Sequence, residues 1–146
     1  MEGLVLRYGF FYGPGTSYAP DGGTAAVVRK RQFPVMGRGE GEWALIHIDD
    51  AAEATVAAVE RGDPGAYNVV DDDPAPLREW LPPYAEALGA KKPLRVPKFV
   101  ARVAAGKMAT HYGTAMRGAS NEKAKRELAW APGYASWRQG FREGLG

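Results

Sequence analysis

The feature that most constrains the fold is an apolar run at the start of the chain, where residues 4–12 read LVLRYGFFY. Gly13-Pro14-Gly15 follows it directly and predicts a sharp turn. We assign residues 4–10 to a strand. A strand this apolar is typical of the middle of a sheet, where both of its faces are covered. Its place at the beginning of the chain raises the question of which residues lie beside it.

The composition is that of an ordinary globular chain of 146 residues, 45% hydrophobic and 25% charged. Nineteen basic and 17 acidic residues give a net charge of +2, so we expect neither nucleic acid nor a membrane as a partner. The sequence has no cysteine, which excludes disulfides and thiolate zinc sites and is consistent with a reducing compartment. We find no pattern of a signal peptide and no apolar run of the ~20 residues that a membrane helix needs. The expected location is therefore cytoplasmic.

Short strands and helices are predicted to alternate along the chain. The predicted strands cover residues 4–10, 33–37, 43–48, 66–70 and 94–96. The predicted helices begin near residues 24, 50, 77, 98, 121 and 136. Strands that alternate with helices indicate an α/β fold, here with a small sheet and several helices.

The helix that begins near Asp50 has the clearest pattern. Asp50 and Glu53 have the spacing of a capping box, and Gly62 is expected to end the helix. Its apolar residues Ala52, Val56 and Val59 predict the buried face.

Further along, the acidic run 71–73 is expected to close a strand and to cap the next helix. Pro82-Pro83 is expected to break or kink that helix, because proline lacks an N–H and clashes with the preceding turn. In the last helix, Trp137, Phe141 and Leu145 form an apolar stripe at steps of four residues.

Familiar catalytic and binding motifs do not occur. The glycines at 37–41 do not fit G-x-G-x-x-G, since the sixth position counted from Gly37 is Glu42, and no phosphate-binding G-x-x-x-x-G-K-[ST] is present. His47, Asp49 and Asp50 resemble part of a metal cluster, but no ligand spacing connects them to His111, the second histidine, so we expect no metal.

Four segments in a fixed order carry a family resemblance: LRYGFFYGPG, WALIHIDDAAEATVAAVE, GAYNVVDD and KAKRELAWAP. Together they resemble the second half of the NAD-dependent epimerase/dehydratase family, the extended and atypical short-chain dehydrogenases. The resemblance runs from about Leu4 to Leu145. It implies the C-terminal part of a Rossmann-type fold, in which residues 1–16 are a late strand and turn of the NAD-binding sheet and residues 17–146 form a substrate-binding domain.

The resemblance also implies which parts of the catalytic machinery are missing. The family's first half supplies a glycine-rich pyrophosphate loop and a catalytic Tyr-x-x-x-Lys pair, and no tyrosine in this sequence has a lysine four positions on. The family's cofactor is NAD or NADP, and we expect neither to bind tightly to this chain alone. No catalytic residue is assigned, and the chain by itself is predicted to be inactive as an oxidoreductase or epimerase.

Some site residues follow from the matching positions. Tyr8, Gly9 and Phe10 match backbone that lies against the nicotinamide, although these residues are equally consistent with sheet core alone. Met36 and Arg38 match a strand and loop that contact the distal part of the substrate, where a plain strand and a solvated arginine are the alternative.

Two further positions bear on the substrate. Trp43 stands where UDP-sugar epimerases of the family carry a diphosphate-binding arginine, and Arg117 is a candidate to compensate for that loss. A tryptophan in place of this arginine indicates a more apolar small-molecule substrate, because the planar guanidinium is well suited to bind a diphosphate.

Two alternatives remain for the biological role. The chain is either the substrate-binding part of an epimerase/dehydratase-type enzyme or a non-catalytic binding module derived from that family. The unmatched strand at residues 4–10 lacks the neighbours that it has in the family, so it is expected to pair with a missing N-terminal half or antiparallel with a second copy of itself in a homodimer.

Overall fold

The structure, a computed structural model, describes residues 2–146 and alternates short strands with helices. The strands are β1 Leu4–Tyr8, β2 Phe10–Tyr12, β3 Val35–Met36, β4 Glu42–Trp43, β5 Leu45–His47, β6 Gly65–Val69, β7 Ala75–Pro76 and β8 Arg95–Val96. The helices are α1 Gly23–Arg29, α2 Ile48–Arg61, α3 Leu77–Ala87, α4 Lys98–Ala104, α5 Gly106–Thr114, α6 Glu122–Leu128 and α7 Trp137–Glu143. The predicted α/β class is confirmed.

The strands pair in twos, and three of the four pairs are parallel. β1 runs parallel to β6, β2 to β5 and β3 to β8, whereas β4 and β7 are antiparallel. Parallel strands need long crossover connections, which here contain the helices between them. The brief strands predicted around residues 35 and 95 are thus one parallel pair.

The opening strand finds its neighbours within the chain. β1 pairs with β6 in the register Leu4↔Gly65 to Tyr8↔Val69, so the expectation that it lacks any ladder partner is wrong for that edge. Its other edge pairs with no strand among residues 2–146. The run then changes partner at Gly9, whose N–H donates to the Val69 oxygen while β2 goes on to pair with β5.

Gly9 is required at this change of partner. A Cβ added there would lie 2.6 Å from the backbone oxygen of Ala44, closer than a real side chain can approach. The next N–H, that of Phe10, donates to the same Ala44 oxygen at 2.9 Å. Glycine therefore allows one apolar run to pair first with β6 and then with β5.

Two hydrophobic clusters form the core. The larger one is aromatic and joins α3 and α7 to the small strands; it includes Tyr12, Trp80, Tyr84 and Trp137. The smaller one lies between the β1–β6 pair and helices α2 and α6, and its centre is filled by small or branched side chains and Tyr67. Burial of each large side chain contributes roughly 1.5–3 kcal/mol, so the aromatic cluster dominates the stability.

Helix α2 differs from its prediction at the first turn. It begins at Ile48, and the N-cap is His47, whose Nδ1 accepts the N–H of Asp49 at 3.1 Å. Asp50 instead accepts the backbone N–H groups of Gly133 and Tyr134, at 2.8 and 3.0 Å. The capping box at Asp50 is therefore wrong, because this buried carboxylate anchors a distant loop.

The buried face of α2 is also not the predicted one. Apart from Asp50, its buried positions are filled by alanine, whereas Val59 is 85% exposed and Ala52 and Val56 also face outward. Alanines allow the helix to pack closely on the β1–β6 pair, and this outweighs the hydrophobic pattern. The predicted end at Gly62 is confirmed.

Helix α3 continues through Pro82 and Pro83, so the predicted break is wrong. The fixed φ of proline is compatible with a helix, and the buried Trp80, Leu81 and Tyr84 hold the segment against the aromatic cluster on either side of the prolines.

The acidic run does not cap α3, whose N-cap is Pro76. Instead Asp73 accepts hydrogen bonds from the Ser136 hydroxyl at 2.6 Å and from Arg138 Nε at 3.2 Å, at the start of α7. Ser136 caps α7 by accepting the Arg138 N–H. All three residues of the predicted stripe are buried, Trp137 and Phe141 on α7 and Leu145 just beyond it, since the helix ends at Glu143.

Helix α7 approaches β2 closely at Gly140. A Cβ at this position would overlap the hydroxyl and ring of Tyr12. Tyr12 is completely buried, and its ring also makes an edge contact with Phe141 at 5.3 Å between centroids. Glycine is needed here for room, and it allows the helix to lie directly on the tyrosine ring.

Candidate functional site

An apolar pocket of about 80 Å³ lies between the small strands and α5. Strand β3 and the segment before it supply one wall, β4 and the start of α3 another, and α5 the third. The residues that line it are Phe33, Met36, Trp43, Leu77, Ala109, Tyr112 and Gly113. No charged side chain is among them, so the pocket suits an uncharged, flat or apolar group.

Aromatic rings build the wall next to β2. The Trp43 ring lies 4.3 Å from that of Phe10 and 6.2 Å from that of Tyr112, measured between centroids. Trp43 Nε1 donates to the backbone oxygen of Tyr112 at 2.9 Å, which fixes the orientation of the indole and ties β4 to α5. Phe10 and Tyr112 are partly exposed, whereas Trp43 is buried beneath them. Tyr112 therefore lines the pocket from its exposed side, whereas Phe10 packs against Trp43 without lining the pocket.

The structure brings some of the predicted substrate residues together and separates others. Met36 and Trp43 line this pocket, and Phe10, predicted at the cofactor's edge, stacks on Trp43. The Arg38 side chain is 87% exposed and makes an ion pair with Glu40 at 3.8 Å, outside the pocket. Arg117 is exposed on the segment after α5 and does not line it either. The two arginines thus provide no charge inside the pocket.

The residues predicted at the cofactor's edge already form hydrogen bonds within the chain. Tyr8 ends β1, is partly exposed and shares a hydrogen bond between its hydroxyl and that of Thr55. The N–H groups of Gly9 and Phe10 already donate to Val69 and Ala44. These two backbone donors are therefore already used within the chain, and the assignment of Tyr8, Gly9 and Phe10 to the cofactor's edge stays a prediction.

Several pocket residues escaped the sequence analysis. Leu77 and Ala109 look like ordinary helix positions, and Tyr112 belongs to no recognisable motif. The useful signal is the spacing of Ala109, Tyr112 and Gly113, which places two small residues and one ring on the same face of α5. Small residues beside a ring leave the space that the pocket occupies.

One buried carboxyl group stands apart from this pocket. Asp71 follows β6, and its Oδ1 accepts the Asp73 N–H at 3.0 Å, while its Oδ2 has no hydrogen-bond partner within residues 2–146. Burial is the main reason that the pKa of Asp71 is raised to about 8. A carboxyl group of this kind is neutral over most of the physiological range.

Two features, a metal-binding cluster and a membrane-spanning helix, are not found in the described part of the chain. No group of three or more histidine, aspartate or glutamate side chains there is arranged to hold a metal ion. Of the helices in residues 2–146, none combines the length and apolar character needed to cross a bilayer.

The chain is similar to proteins of one family. The model of the NAD dependent epimerase/dehydratase family matches residues 1–70. A 3-diazoavenalumate denitrifying reductase from a Streptomyces species is 48% identical over 141 residues, which cover 97% of this chain and 46% of the reductase.

Solved structures with the same fold include two that illustrate its range. A functionally unknown conserved protein from Silicibacter pomeroyi is 30% identical, with a TM-score of 0.71 over 95% of this chain and 46% of that one. A human epimerase family protein with NADPH is 20% identical, with a TM-score of 0.74 over 97% of this chain and 48% of that one. The chain thus spans about half the length of the relatives it matches.

Proposed function

Because this chain is related to the NAD-dependent epimerase/dehydratase family, we propose that it is the C-terminal, substrate-binding portion of an NAD(P)-dependent oxidoreductase of that kind. In this proposal residues 17–146 hold the substrate, and residues 1–16 are the last part of the cofactor-binding sheet. The glycine-rich loop and the Tyr-x-x-x-Lys pair come from a segment outside this sequence. The nicotinamide, when bound, supplies the hydride chemistry.

The observation that carries the proposal is the apolar, aromatic pocket around Trp43. Three rings surround it, and no guanidinium points into it, although Arg38 and Arg117 belong to the same region of the chain. A ring system fits such walls, because aromatic groups gain about 0.5–1.5 kcal/mol from stacked or edge contacts beyond their buried area. A nucleoside diphosphate would bring two charges to a place with no cation to receive them.

The substrate class follows from the pocket and from the Streptomyces relative. That protein's name describes a reductase that acts on 3-diazoavenalumate. We extend this to the present chain as a small aromatic substrate and a reduction at the expense of NAD(P)H. In this arrangement Trp43 and Tyr112 orient the substrate ring, and Met36 closes the far end of the pocket.

Ligand binding to the purified chain tests the pocket directly. We expect phenol, a single uncharged aromatic ring, to bind at least tenfold more tightly than UDP-glucose in isothermal titration calorimetry. Trp43→Arg should weaken binding of phenol and strengthen that of UDP-glucose, because it removes a ring and adds a diphosphate clamp. Trp130→Phe is the matched control, since Trp130 lies in the other hydrophobic cluster. Tighter binding of UDP-glucose by the unmodified chain would contradict the proposed substrate class.

A turnover assay tests the proposal that the catalytic groups lie outside this sequence. The purified chain should neither oxidise NAD(P)H nor epimerise UDP-glucose, because it contains no Tyr-x-x-x-Lys pair. Turnover by this chain alone would show that the catalytic groups lie within it. Absence of turnover together with binding of phenol is the expected result.

A further inference from the structure

A second cavity, of about 150 Å³, lies between α4 and α5 and is strongly basic. Helix α4 contributes Lys98 and Arg102, which are one turn apart on the same side of the helix. Helix α5 contributes Lys107 and His111, which have the same spacing. The remaining lining residues are Thr110, Thr114 and Ala115.

The charges in this cleft have no carboxylate to balance them. Residues 87–121 contain seven lysines and arginines and no aspartate or glutamate. None of the ion pairs formed within residues 2–146 involves Lys98, Arg102 or Lys107. Like charges at i and i+4 destabilise a helix by a few tenths of a kcal/mol. An anion bound among these three cations would therefore reduce the repulsion between them.

The donors left free in the cleft are the cationic ones. The Thr110 hydroxyl donates to the Gly106 oxygen at 2.8 Å, and the Thr114 hydroxyl donates to the Thr110 oxygen at 2.7 Å. These threonines shape the cavity floor without offering their protons to a ligand. The lysines supply point charges and Arg102 a planar fork, which together match a tetrahedral oxyanion.

The cleft is separate from the substrate pocket. Helix α5 turns Ala109, Tyr112 and Gly113 towards the apolar pocket and Lys107, His111 and Thr114 towards the cleft. At about 30 Å³ for each water, 150 Å³ holds about five waters, which is enough for a phosphate group with part of its hydration shell.

We propose that the cleft between α4 and α5 is a binding site for a phosphate group. Three positive charges around one cavity favour a phosphate monoester, which carries up to two negative charges, over a singly charged carboxylate. The phosphate belongs either to a dissolved molecule or to a lipid headgroup. Phe99 and Val103, on the stripe of α4 next to Lys98 and Arg102, are 71% and 87% exposed and would meet the acyl region in the second case.

Titration of the purified chain with inorganic phosphate at low ionic strength tests the site. We expect saturable binding that Arg102→Gln combined with Lys107→Gln weakens at least tenfold. Lys91→Gln combined with Lys92→Gln is the control, because it removes the same charge from the same basic segment outside the cleft. Equal weakening by the two double variants would overturn the proposal in favour of non-specific attraction, as would no binding at 10 mM phosphate.

Vesicles separate the two sources of phosphate. The chain is sedimented with vesicles of phosphatidylcholine containing 20% phosphatidic acid, with and without Phe99→Ser. Loss of vesicle binding in Phe99→Ser with unchanged affinity for inorganic phosphate identifies a lipid headgroup. Phosphate binding without vesicle binding identifies a dissolved phosphate. Binding of neither probe overturns the site, and this test does not depend on the proposed oxidoreductase function.

Discussion

The aromatic centre around Trp80 and the outer edge of β1 contain similarly apolar residues but differ in how completely the chain covers them. Trp80 is fully buried and has ring neighbours on several sides, with Trp43 at 5.0 Å and Phe33 at 6.0 Å between centroids. Val5, in the middle of β1, is 53% exposed, and the strand is paired on one edge only within residues 2–146. The first region is complete within this chain, and the second is not.

The two regions correspond to the two parts of the proposed function, substrate binding and cofactor binding. The apolar pocket lies against the complete region, through Trp43 and Leu77, so a substrate site can be formed without further polypeptide. The predicted cofactor edge, at Tyr8, lies at the incomplete one. The proposed cofactor site therefore depends on a partner for the free edge of β1, which is itself a proposal.

The largest effect is expected from truncation in the aromatic centre. Trp80→Ala should lower the free energy of unfolding by about 3–5 kcal/mol, because it leaves a cavity among packed rings. Val5→Ala should change it by less than about 0.5 kcal/mol, since its side chain is already half in water. Urea unfolding followed by circular dichroism measures both. Similar losses in the two variants would show that the two regions do not differ in the way their burial indicates.

A smaller, pH-dependent effect is expected at Asp71, whose N–H donates to Leu45 beside the aromatic centre. Burial raises the pKa of Asp71 from 3.8 to about 8, so the folded chain binds one more proton than the unfolded chain between these values. The contribution of this group to stability is therefore fully present below about pH 4 and is lost as the pH rises through about 8.

Asp71→Asn isolates this contribution, because an amide keeps the acceptor for the Asp73 N–H and does not ionise. Between pH 4 and pH 8, the unfolding free energy of wild type should fall relative to that of the variant by roughly a few kcal/mol. Urea unfolding at four pH values measures this. A constant difference would mean that the carboxyl group is already ionised at pH 5.

The smallest effect on stability, and the sharpest on assembly, is expected at the free edge of β1. We propose that two copies pair there, unless a missing N-terminal half occupies it, and that Val5→Lys prevents the pairing because a charged side chain blocks an edge strand. Leu4 and Leu6 pack on the inner cluster and are left unchanged. Sedimentation velocity at tens of micromolar should give a dimer for wild type and a monomer for Val5→Lys. A monomer in both cases would contradict the strand-mediated dimer.

Periodicity and turn residues were enough to predict most elements. The parallel pairing of β3 with β8 follows two short runs that were both predicted, and the buried stripe on α7 follows its spacing. The errors arose where tertiary contacts outweigh local pattern. Asp50 has ideal capping spacing, yet its carboxylate binds a loop more than 80 residues away. No local pattern contains that information.

The candidate site was predicted less completely than the fold. Trp43 and Met36 were assigned through a family resemblance, and both line the apolar pocket, while their contact with a substrate stays a prediction. The basic cleft was missed, since Lys98 and Lys107 lie on different helices and each looks like an ordinary solvated residue. Only the packing of α4 against α5 brings them together.

The close approach of α7 to Tyr12 has a consequence for the evolution of this sequence. Because a Cβ at position 140 would occupy the space of the Tyr12 hydroxyl and ring, Gly140 is not free to vary while Tyr12 is present. Exchange of Gly140 for alanine becomes tolerable only after Tyr12 has been replaced by a smaller side chain. The two positions, far apart in sequence, should therefore change together among descendants of this chain, and the order of the two substitutions should always be the same.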